Sequence, residues 1–465
     1  MSQSPAHFRD QPATITDDGK KRKWIYPKLI KGKIYKYRAT VSYFFLTLLF
    51  AAPFLKLNGE QLILLNVLER KFVFFGIIFW PQDFYLFVLA LLIFIIGVVL
   101  FTVVFGRVFC GWACPQTIFL EMVFRKIENW IEGDHLQQKK LDNGPLNFEK
   151  IWKKTIKHCL FLAISFLIAN IFLSYLISSA VLWKIMTEPI SMHITGFIAI
   201  CVFTLAFYLV FSKMRELVCT VACPYGRLQG VLLDNQSIIV AYDYQRGEPR
   251  GKRVKEIEQP EGDCIDCKLC VQVCPTGIDI RNGTQMECVN CTACIDACDM
   301  VMEKINRPLR LIGFKSEDEI ATKKPFQLNK RIYGYSVVLL ILMTVLTYLL
   351  VSRSDVETTI LRASGTLYQL RDKDKTVSNL YNSELMNKTT RPVQFEIIPD
   401  HRDAKIQYIQ KEKIVQPGET VKLTFFVIFP QKSIQKYKTA IGFKLMSGSK
   451  VAGQFKTTFI APANE

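Results

Sequence analysis

The stretch Cys264–Cys298 reads CIDCKLCVQVCPTGIDIRNGTQMECVNCTACIDAC and holds eight of the chain's fourteen cysteines. It contains the run C-x-x-C-x-x-C-x-x-x-C twice. Three cysteines two residues apart wrap a tight loop over one face of an iron–sulfur cubane, and the fourth thiolate comes from the other run. Cys264, Cys267, Cys270 and Cys298 are therefore expected to hold one [4Fe–4S] cluster, and Cys288, Cys291, Cys294 and Cys274 a second. Crossed sharing of this kind keeps two clusters close enough for electron hopping. A zinc site needs four ligands, not eight in this register. A disulfide framework does not suit the reducing side of a membrane. Pro275 follows the first run, whereas Asp299 follows the second and adds negative charge near one cluster.

Around this segment the chain is strongly apolar. Half of its 465 residues are hydrophobic. Five runs approach the ~20 residues that a bilayer core requires: Ala39–Leu57, Phe84–Phe105, Ile156–Val181, Ile190–Phe211 and Tyr333–Val351. No small-residue cleavage site follows the first run, so it reads as a retained anchor and not a signal peptide. The stretch Gln61–Pro81 is apolar but cut by Glu69, Arg70 and Lys71. Three such charges cost about 2.5–3.5 kcal/mol each at the centre of a spanning helix, so a hairpin or half-inserted segment outside the bilayer core is expected.

The net charge of +18 fits loop bias in a multi-span membrane protein, and no recognition motif supports nucleic-acid binding. Met1–Arg38 carries ten Lys or Arg against three Asp, which places the N-terminus in the cytoplasm. With five spans, Arg107–Thr155 and Ser212–Ile332 are then cytoplasmic, in agreement with the basic cluster Lys323, Lys324, Lys330 and Arg331. The tail after Val351 is periplasmic. The domain reading is a basic segment (1–38), a four-span membrane domain (39–211), a cysteine-rich cytoplasmic region (212–332), a fifth span (333–351) and a periplasmic tail (352–465).

Two further cysteine pairs sit just past apolar runs: GRVFCGWACPQT at Gly106–Thr117, and VCTVACPYG at Val218–Gly226. Cys110 and Cys114, like Cys219 and Cys223, are spaced i, i+4, which on a helix places both on one face. Pro115 and Pro224 each mark the start of a turn or new helix. Thiolates at this spacing select Cu(I), zinc or iron–sulfur units. Four thiols from two spans form one shared site if the spans pack side by side; the bland alternative is small buried hydrophobes in a helix interface. His158 is an additional candidate ligand, while Cys159 and Cys201 read as core residues. There is no C-x-x-C-H for covalent haem, no dinucleotide fingerprint and no P-loop. His158 and His193 border spans on opposite faces, which excludes an intramembrane haem pair.

These residues resemble the cbb3-type cytochrome c oxidase accessory proteins, the group called CcoG, FixG or RdxA. The resemblance runs through FVFFGIIFWPQD (Phe72–Asp83), GRVFCGWACPQT, IEGD (Ile131–Asp134), KLDNGP (Lys140–Pro145), VCTVACPYGRLQ, IVAYDYQRGEPRGK (Ile239–Lys252) and the cluster segment. It departs at RPLRLIGF (Arg307–Phe314). It implies reduction of Cu(II) to Cu(I) for assembly of the oxidase copper site, with Cys110, Cys114, Cys219 and Cys223 as catalytic copper ligands. It also implies a homodimer, oxidase assembly factors as partners, and the bacterial inner membrane as location.

In the tail, PVQFEII, TVKLTFFVIF, AIGFKLM and QFKTTFI alternate apolar and polar residues between Pro, Gly and Asn breaks, the pattern of a small β-sandwich. The resemblance implies an immunoglobulin-like domain, and with no cysteine and only His401 the tail carries no chemistry, leaving docking or a passive fold. The expected fold class is membrane α-helical with about five spans, an inserted double [4Fe–4S] ferredoxin-like domain and a C-terminal all-β immunoglobulin-like sandwich. Two other functions fit: a quinol-oxidising electron carrier with Arg107, Trp112 and Trp130 bordering the quinone, and a scaffold whose clusters serve structure.

Overall fold

A computed structural model describes residues 22–462 except 58, 81–82, 252–261, 324–328, 354–355, 364–366, 372–374, 390, 410–413, 435 and 448–449. Residues 1–21 of the basic N-terminal segment, together with Pro81, Gln82, Lys252 and Lys324 of the motifs above, lie outside the described residues. Among the described residues, four helices are long and apolar enough to cross a membrane: Phe84–Phe105, Phe148–Ile177, Ile194–Met214 and Lys330–Val351. At 1.5 Å per residue a 22-residue helix is about 33 Å long, enough for the hydrocarbon core.

The first expected span is a 19-residue helix, Lys33–Ala51, displaced toward the N-terminus. It carries Lys33, Lys36 and Arg38 and is less apolar than the other four. Its start is set by a cap and not by the edge of the apolar run. The Asp296 carboxylate accepts from the amides of Ile34 (3.1 Å) and Tyr35 (2.7 Å), so a residue of the cysteine-rich region caps the start of this helix. Helix Phe148–Ile177 likewise begins eight residues before the apolar boundary, since charged turns extend the helix past hydrocarbon.

The chain divides into two compact units: residues 1–55 with 89–343, and residues 56–88 with 344–465. The first unit holds the helical bundle and the cysteine-rich region. Phe124 stacks on Phe211 at 4.5 Å between ring centroids and meets Phe161 edge-on at 4.7 Å. All three are almost fully buried, which ties the Phe119–Phe124 turn to two of the spans. Cys159 and Cys201 are exposed on the bundle surface and are not core residues. In a membrane bundle the outward surface is itself apolar, so an apolar residue in a span does not mark the core.

The second unit is mostly β. Gln61–Pro81 does not form a helix: Ile63–Asn66, Lys71–Phe74 and Ile77–Phe79 form a three-stranded antiparallel sheet with Glu69 and Arg70 in its first turn. The four alternating stretches of the tail are strands in two antiparallel sheets. In one, Thr420–Pro430 lies between Lys405–Tyr408 and Thr376–Asn387, which also pairs with Val356–Arg362 and Gln369–Arg371. In the other the order is Ile414–Val415, Val393–Pro399, Lys438–Ser447, Lys450–Ile460. Inward residues such as Tyr381, Phe425, Phe443 and Phe459 fill the space between.

The meander belongs to the same unit as the sandwich, which the sequence reading did not anticipate. Gly418 has φ +73°, and a Cβ there would lie 2.7 Å from the Trp80 ring. Asp83, almost fully buried, binds Lys388 Nζ at 2.8 Å and Arg353 Nη2 at 2.5 Å. A carboxylate so buried is tolerable because both oxygens meet cations.

Phe425→Ala is expected to cost the sandwich about 3–5 kcal/mol, and Lys422→Ala, at an exposed position on the same strand, no more than about 0.5 kcal/mol. Urea-dependent proteolysis of the full chain in detergent, read as cleavage within the tail, measures both.

Candidate metal centre

Each cluster run is a loop with a repeated backbone signature. Between the cysteines, Asp266 (φ 51°) and Lys268 (φ 56°) in the first run match Asn290 (φ 51°) and Thr292 (φ 66°) in the second. Left-handed residues at these two positions fold each loop so that its cysteines converge. Asp and Asn are among the non-glycine residues that tolerate this region best.

Two adjoining cavities result. One of about 370 Å³ is lined by Cys264, Cys267, Cys270 and Cys298, with Tyr242, Met302, Leu311 and Ile312. The other, about 350 Å³, is lined by Cys274, Cys288, Cys291 and Cys294, with Val240, Ile278, Ile280 and Val289. The structure therefore brings Cys298 to the first triad and Cys274 to the second. Cys270 lines both cavities. Burial pushes the thiols of Cys270, Cys288 and Cys298 up to about 12 and that of Cys291 up to about 11. Thiols this reluctant to ionise become thiolates when a cation replaces the proton. Buried donors also lack partners: Asn290 Nδ2 in the second loop, and Nη2 of Arg38, which is close enough to Cys291 to favour its thiolate. Four converging sulfurs per cavity, apolar walls and orphaned donors fit an anionic iron–sulfur cluster in each. Asp299 is tied to Arg310, which donates its amide at 2.8 Å and pairs its guanidinium at 3.5 Å. Much of the added negative charge is thereby offset, and the departure at Arg307–Phe314 supplies the offset.

The two C-x-x-x-C-P pairs do not lie on single helices. Cys110 is in the short helix Val108–Trp112, and Cys114 is the N-cap of the helix that begins at Pro115. Cys219 lies in a π-helical turn, Val218–Ala222, and Cys223 is the N-cap of Pro224–Leu232. The motif spacing thus encodes a helix break. Proline at N1 needs no amide partner and has the right φ, and the cysteine before it sits at the positive end of the helix, where a thiolate is favoured. At Cys114 burial pushes the thiol up while the Thr117 and Gln116 amides pull it back.

The pairs converge. Cys110 lies within electrostatic range of Cys114 and Cys223, and Cys219 within range of the other three. Burial pushes Cys110 up to about 11, opposed by the Arg107 guanidinium, and Cys219 up to about 12. The Cys110 thiol donates to Gln229 Oε1 at 3.0 Å, and Arg107 Nε donates to the same oxygen at 3.2 Å. The Thr117 hydroxyl is buried beside Cys114 and Cys219. Among the described residues no three His, Cys, Asp or Glu side chains already close on a single ion, so the quartet is a neighbourhood of sulfurs and not a finished cage.

This quartet abuts the second cluster cavity. Cys110 packs with Val289 and Cys291 in one buried group. Gly111 approaches so closely that a Cβ would lie 2.4 Å from the Val289 carbonyl oxygen. Arg38 Nε donates to the Gly111 carbonyl at 2.8 Å. Sequence reasoning missed Arg38, Gly111, Gln229 and Thr117. Only Gly111 carried a signal, as the small residue beside Cys110.

Other candidates lie elsewhere. His158 Nδ1 pairs with the Tyr208 hydroxyl at 2.9 Å, and no described contact brings it to a thiol. Trp130 is 79% exposed, and Arg107 is buried against Gln229 and the Met286 carbonyl. Among the described residues, Arg107 lines a cavity with Leu233, Ile239 and Cys288, and neither Trp112 nor Trp130 is among its lining residues.

Three family models match the chain: a 4Fe-4S dicluster domain over residues 214–317, a 4Fe-4S binding domain over 87–133, and the IG-like fold at the C-terminal of FixG over 346–462. Protein RdxA of Cereibacter sphaeroides is 38% identical over 62% of this chain and 62% of its own length. Nitrogen fixation protein FixG of Rhizobium meliloti is 36% identical over 65% of this chain and 59% of its own. Protein RdxB of Cereibacter sphaeroides is 36% identical over 81% and 82%. The match thus spans less than two thirds of RdxA and of FixG, but most of RdxB.

Gly111→Ala is expected to force the Cys110 helix and the Val289–Asn290 loop apart, at about 1–3 kcal/mol. Iron and acid-labile sulfide should fall by up to one cluster per chain, with a lower melting temperature; unchanged iron would mean the contact is dispensable.

Proposed function

Because the chain belongs to the FixG/RdxA family of membrane iron–sulfur electron-transfer proteins, we propose that it is a cupric reductase. It takes Cu(II) at Cys110, Cys114, Cys219 and Cys223 and returns Cu(I) for the copper site of a cbb3-type cytochrome c oxidase. The observation that carries this reading is the packing of Cys110 against Val289 and Cys291. A sulfur site for a soft ion and a cysteine of the second cluster cavity share one buried group.

The clusters, held by Cys264, Cys267, Cys270 and Cys298 and by Cys274, Cys288, Cys291 and Cys294, supply single electrons when bound. The residues of the chain do the rest. The Arg107 guanidinium beside Cys110 and the helix start at Cys114 favour thiolates as copper displaces the thiol protons. Gln229 holds Cys110 in place through the same oxygen that orders Arg107. Cu(II) prefers tetragonal oxygen and nitrogen ligands, whereas thiolates favour low-coordinate Cu(I), so binding among sulfurs makes the ion easier to reduce. One electron converts one Cu(II) to Cu(I). Val289 and its apolar neighbours keep water from the contact.

The same reading places residues 56–88 and the sandwich in the periplasm of a bacterial inner membrane, since both belong to one unit, and the N-terminus and clusters in the cytoplasm. A homodimer and oxidase assembly factors as partners of the sandwich complete it. One observation favours a second reading, in which the quartet holds iron: the model described as a 4Fe-4S binding domain covers Cys110 and Cys114.

Replacing Cys110 and Cys219 together with Ser is expected to lower Cu(I) affinity by roughly 100-fold or more, above the 10–100-fold typical of outer-shell losses. Cupric reduction should be abolished with iron content intact. Unchanged copper binding and reduction would remove the quartet from the mechanism, and a loss of iron would favour the second reading.

A further inference from the structure

A cavity of about 820 Å³ in the first unit is not used by the copper reaction. It lies where helices Phe148–Ile177 and Ile194–Met214 have their polar ends: His158 comes from the third turn of one, and Ser212 and Lys213 from the last turn of the other. Its walls include the motifs IEGD and KLDNGP, which supply Glu132 and Asp142.

Most of the charges on these walls are already paired, with Lys213 the exception among the described ion pairs. Glu132 meets Lys157 at 2.8 Å and Lys154 at 2.9 Å, Asp142 meets Lys154 at 2.5 Å, and Glu128 binds Arg215 through both oxygens at 2.8 and 2.7 Å. Burial works to raise the Glu128 carboxyl, yet Arg215 and Lys157 outweigh it and hold the group below the usual carboxylate range. Apart from Lys213 little uncompensated charge is left to hold an ion, so the lining suits a neutral ligand with hydroxyl groups.

Two hydrogen-bonding positions point to such a ligand. Ser212 is 6% exposed, and its hydroxyl is buried without a partner. His158 engages Tyr208 through Nδ1, and its second ring nitrogen remains for a ligand. Trp24 adds a flat apolar wall, with the guanidinium groups of Arg22 and Arg215 4.4 and 5.0 Å from its ring centroid. A polar chain leads from this wall to the residue after Cys274, a cysteine of the second cluster cavity. Arg215 adjoins Glu216 (3.9 Å), Glu216 adjoins Arg125 (3.5 Å), and Arg125 donates to the Pro275 carbonyl at 3.1 Å, one residue past Cys274.

We propose that this cavity binds a quinol, whose ring lies against Trp24 and whose hydroxyls meet His158 and Ser212, and that it is where the protein takes up its electrons. Oxidation breaks two O–H bonds: one quinol gives one quinone, two protons and two electrons. The protons pass to the His158 ring and from there to water. The electrons move one at a time toward the loop at Cys274, enough to convert two Cu(II) to two Cu(I). The proposal rests on the iron–sulfur character of the chain, and only the final electron count rests on the copper reading.

The test uses full-length holoprotein in detergent, reduced with dithionite, freed of excess reductant and mixed anaerobically with menadione. Loss of the reduced-cluster paramagnetic signal is followed against menadione concentration. A saturable rate is expected. Ser212→Ala and His158→Leu should each slow it roughly tenfold at limiting menadione, with unchanged iron content. Trp130→Ala, outside the cavity, should leave it unaltered. Glu132→Gln, which removes a paired charge and keeps the shape, serves if His158→Leu fails to fold. A rate that is linear in menadione and equal in all variants overturns the site. If menadione oxidation fails this test while the reduced protein still reduces Cu(II), the quinol proposal falls and the copper reading stands. If Cu(II) is untouched while menadione saturates, the reverse holds.

Discussion

The close approach of Gly111 to the Val289–Asn290 backbone is the constraint on which the first unit depends. A side chain there would overlap the Val289 carbonyl oxygen. With only hydrogen present, the Cys110 helix seats against the second cluster loop, and Cys110, Val289 and Cys291 become one apolar group. Arg38 then reaches the Gly111 carbonyl from the first helix, and Asp296 of the cluster region caps that same helix. Three parts of the chain far apart in sequence are fastened at one point. Contact of this kind matters for electron transfer because the groups on either side of it cannot drift apart.

The C-x-x-x-C-P motif acquires a physical meaning from its setting. Its first cysteine lies within one short helical piece, and its second caps the next, with proline in the position where a missing amide costs least. Each motif therefore places one sulfur at a helix N-terminus, where the backbone favours negative charge. Two such breaks bring the four sulfurs within electrostatic range of one another.

The cluster region was legible because iron–sulfur ligation demands a fixed spacing, and the spacing survives in the one-dimensional chain. The sandwich was legible because strands with one buried face alternate, as Val421, Leu423, Phe425, Val427 and Phe429 do. Span edges were less so: Asp296 decides where the first helix begins, and that carboxylate is more than 250 residues away in sequence. Cys159 and Cys201 were misassigned because a lipid-facing surface reverses the usual link between apolar and buried. The i, i+4 spacing of the thiol pairs suggested a helical face, whereas proline at the next position turned it into a break. Gln229, Arg38 and Thr117 have no local signature at all, since their positions follow from tertiary packing.

The account's central claim is that electrons held at the cluster cysteines reach copper at the neighbouring sulfur quartet. Rapid anaerobic mixing of reduced, reductant-free holoprotein with Cu(II), with freeze-quenched paramagnetic resonance at successive times, tests it most directly. The Cu(II) signal and the reduced-cluster signal should decay together, with one rate constant and one electron per copper. Clusters that stay reduced while Cu(II) sits bound and unreduced would contradict the account.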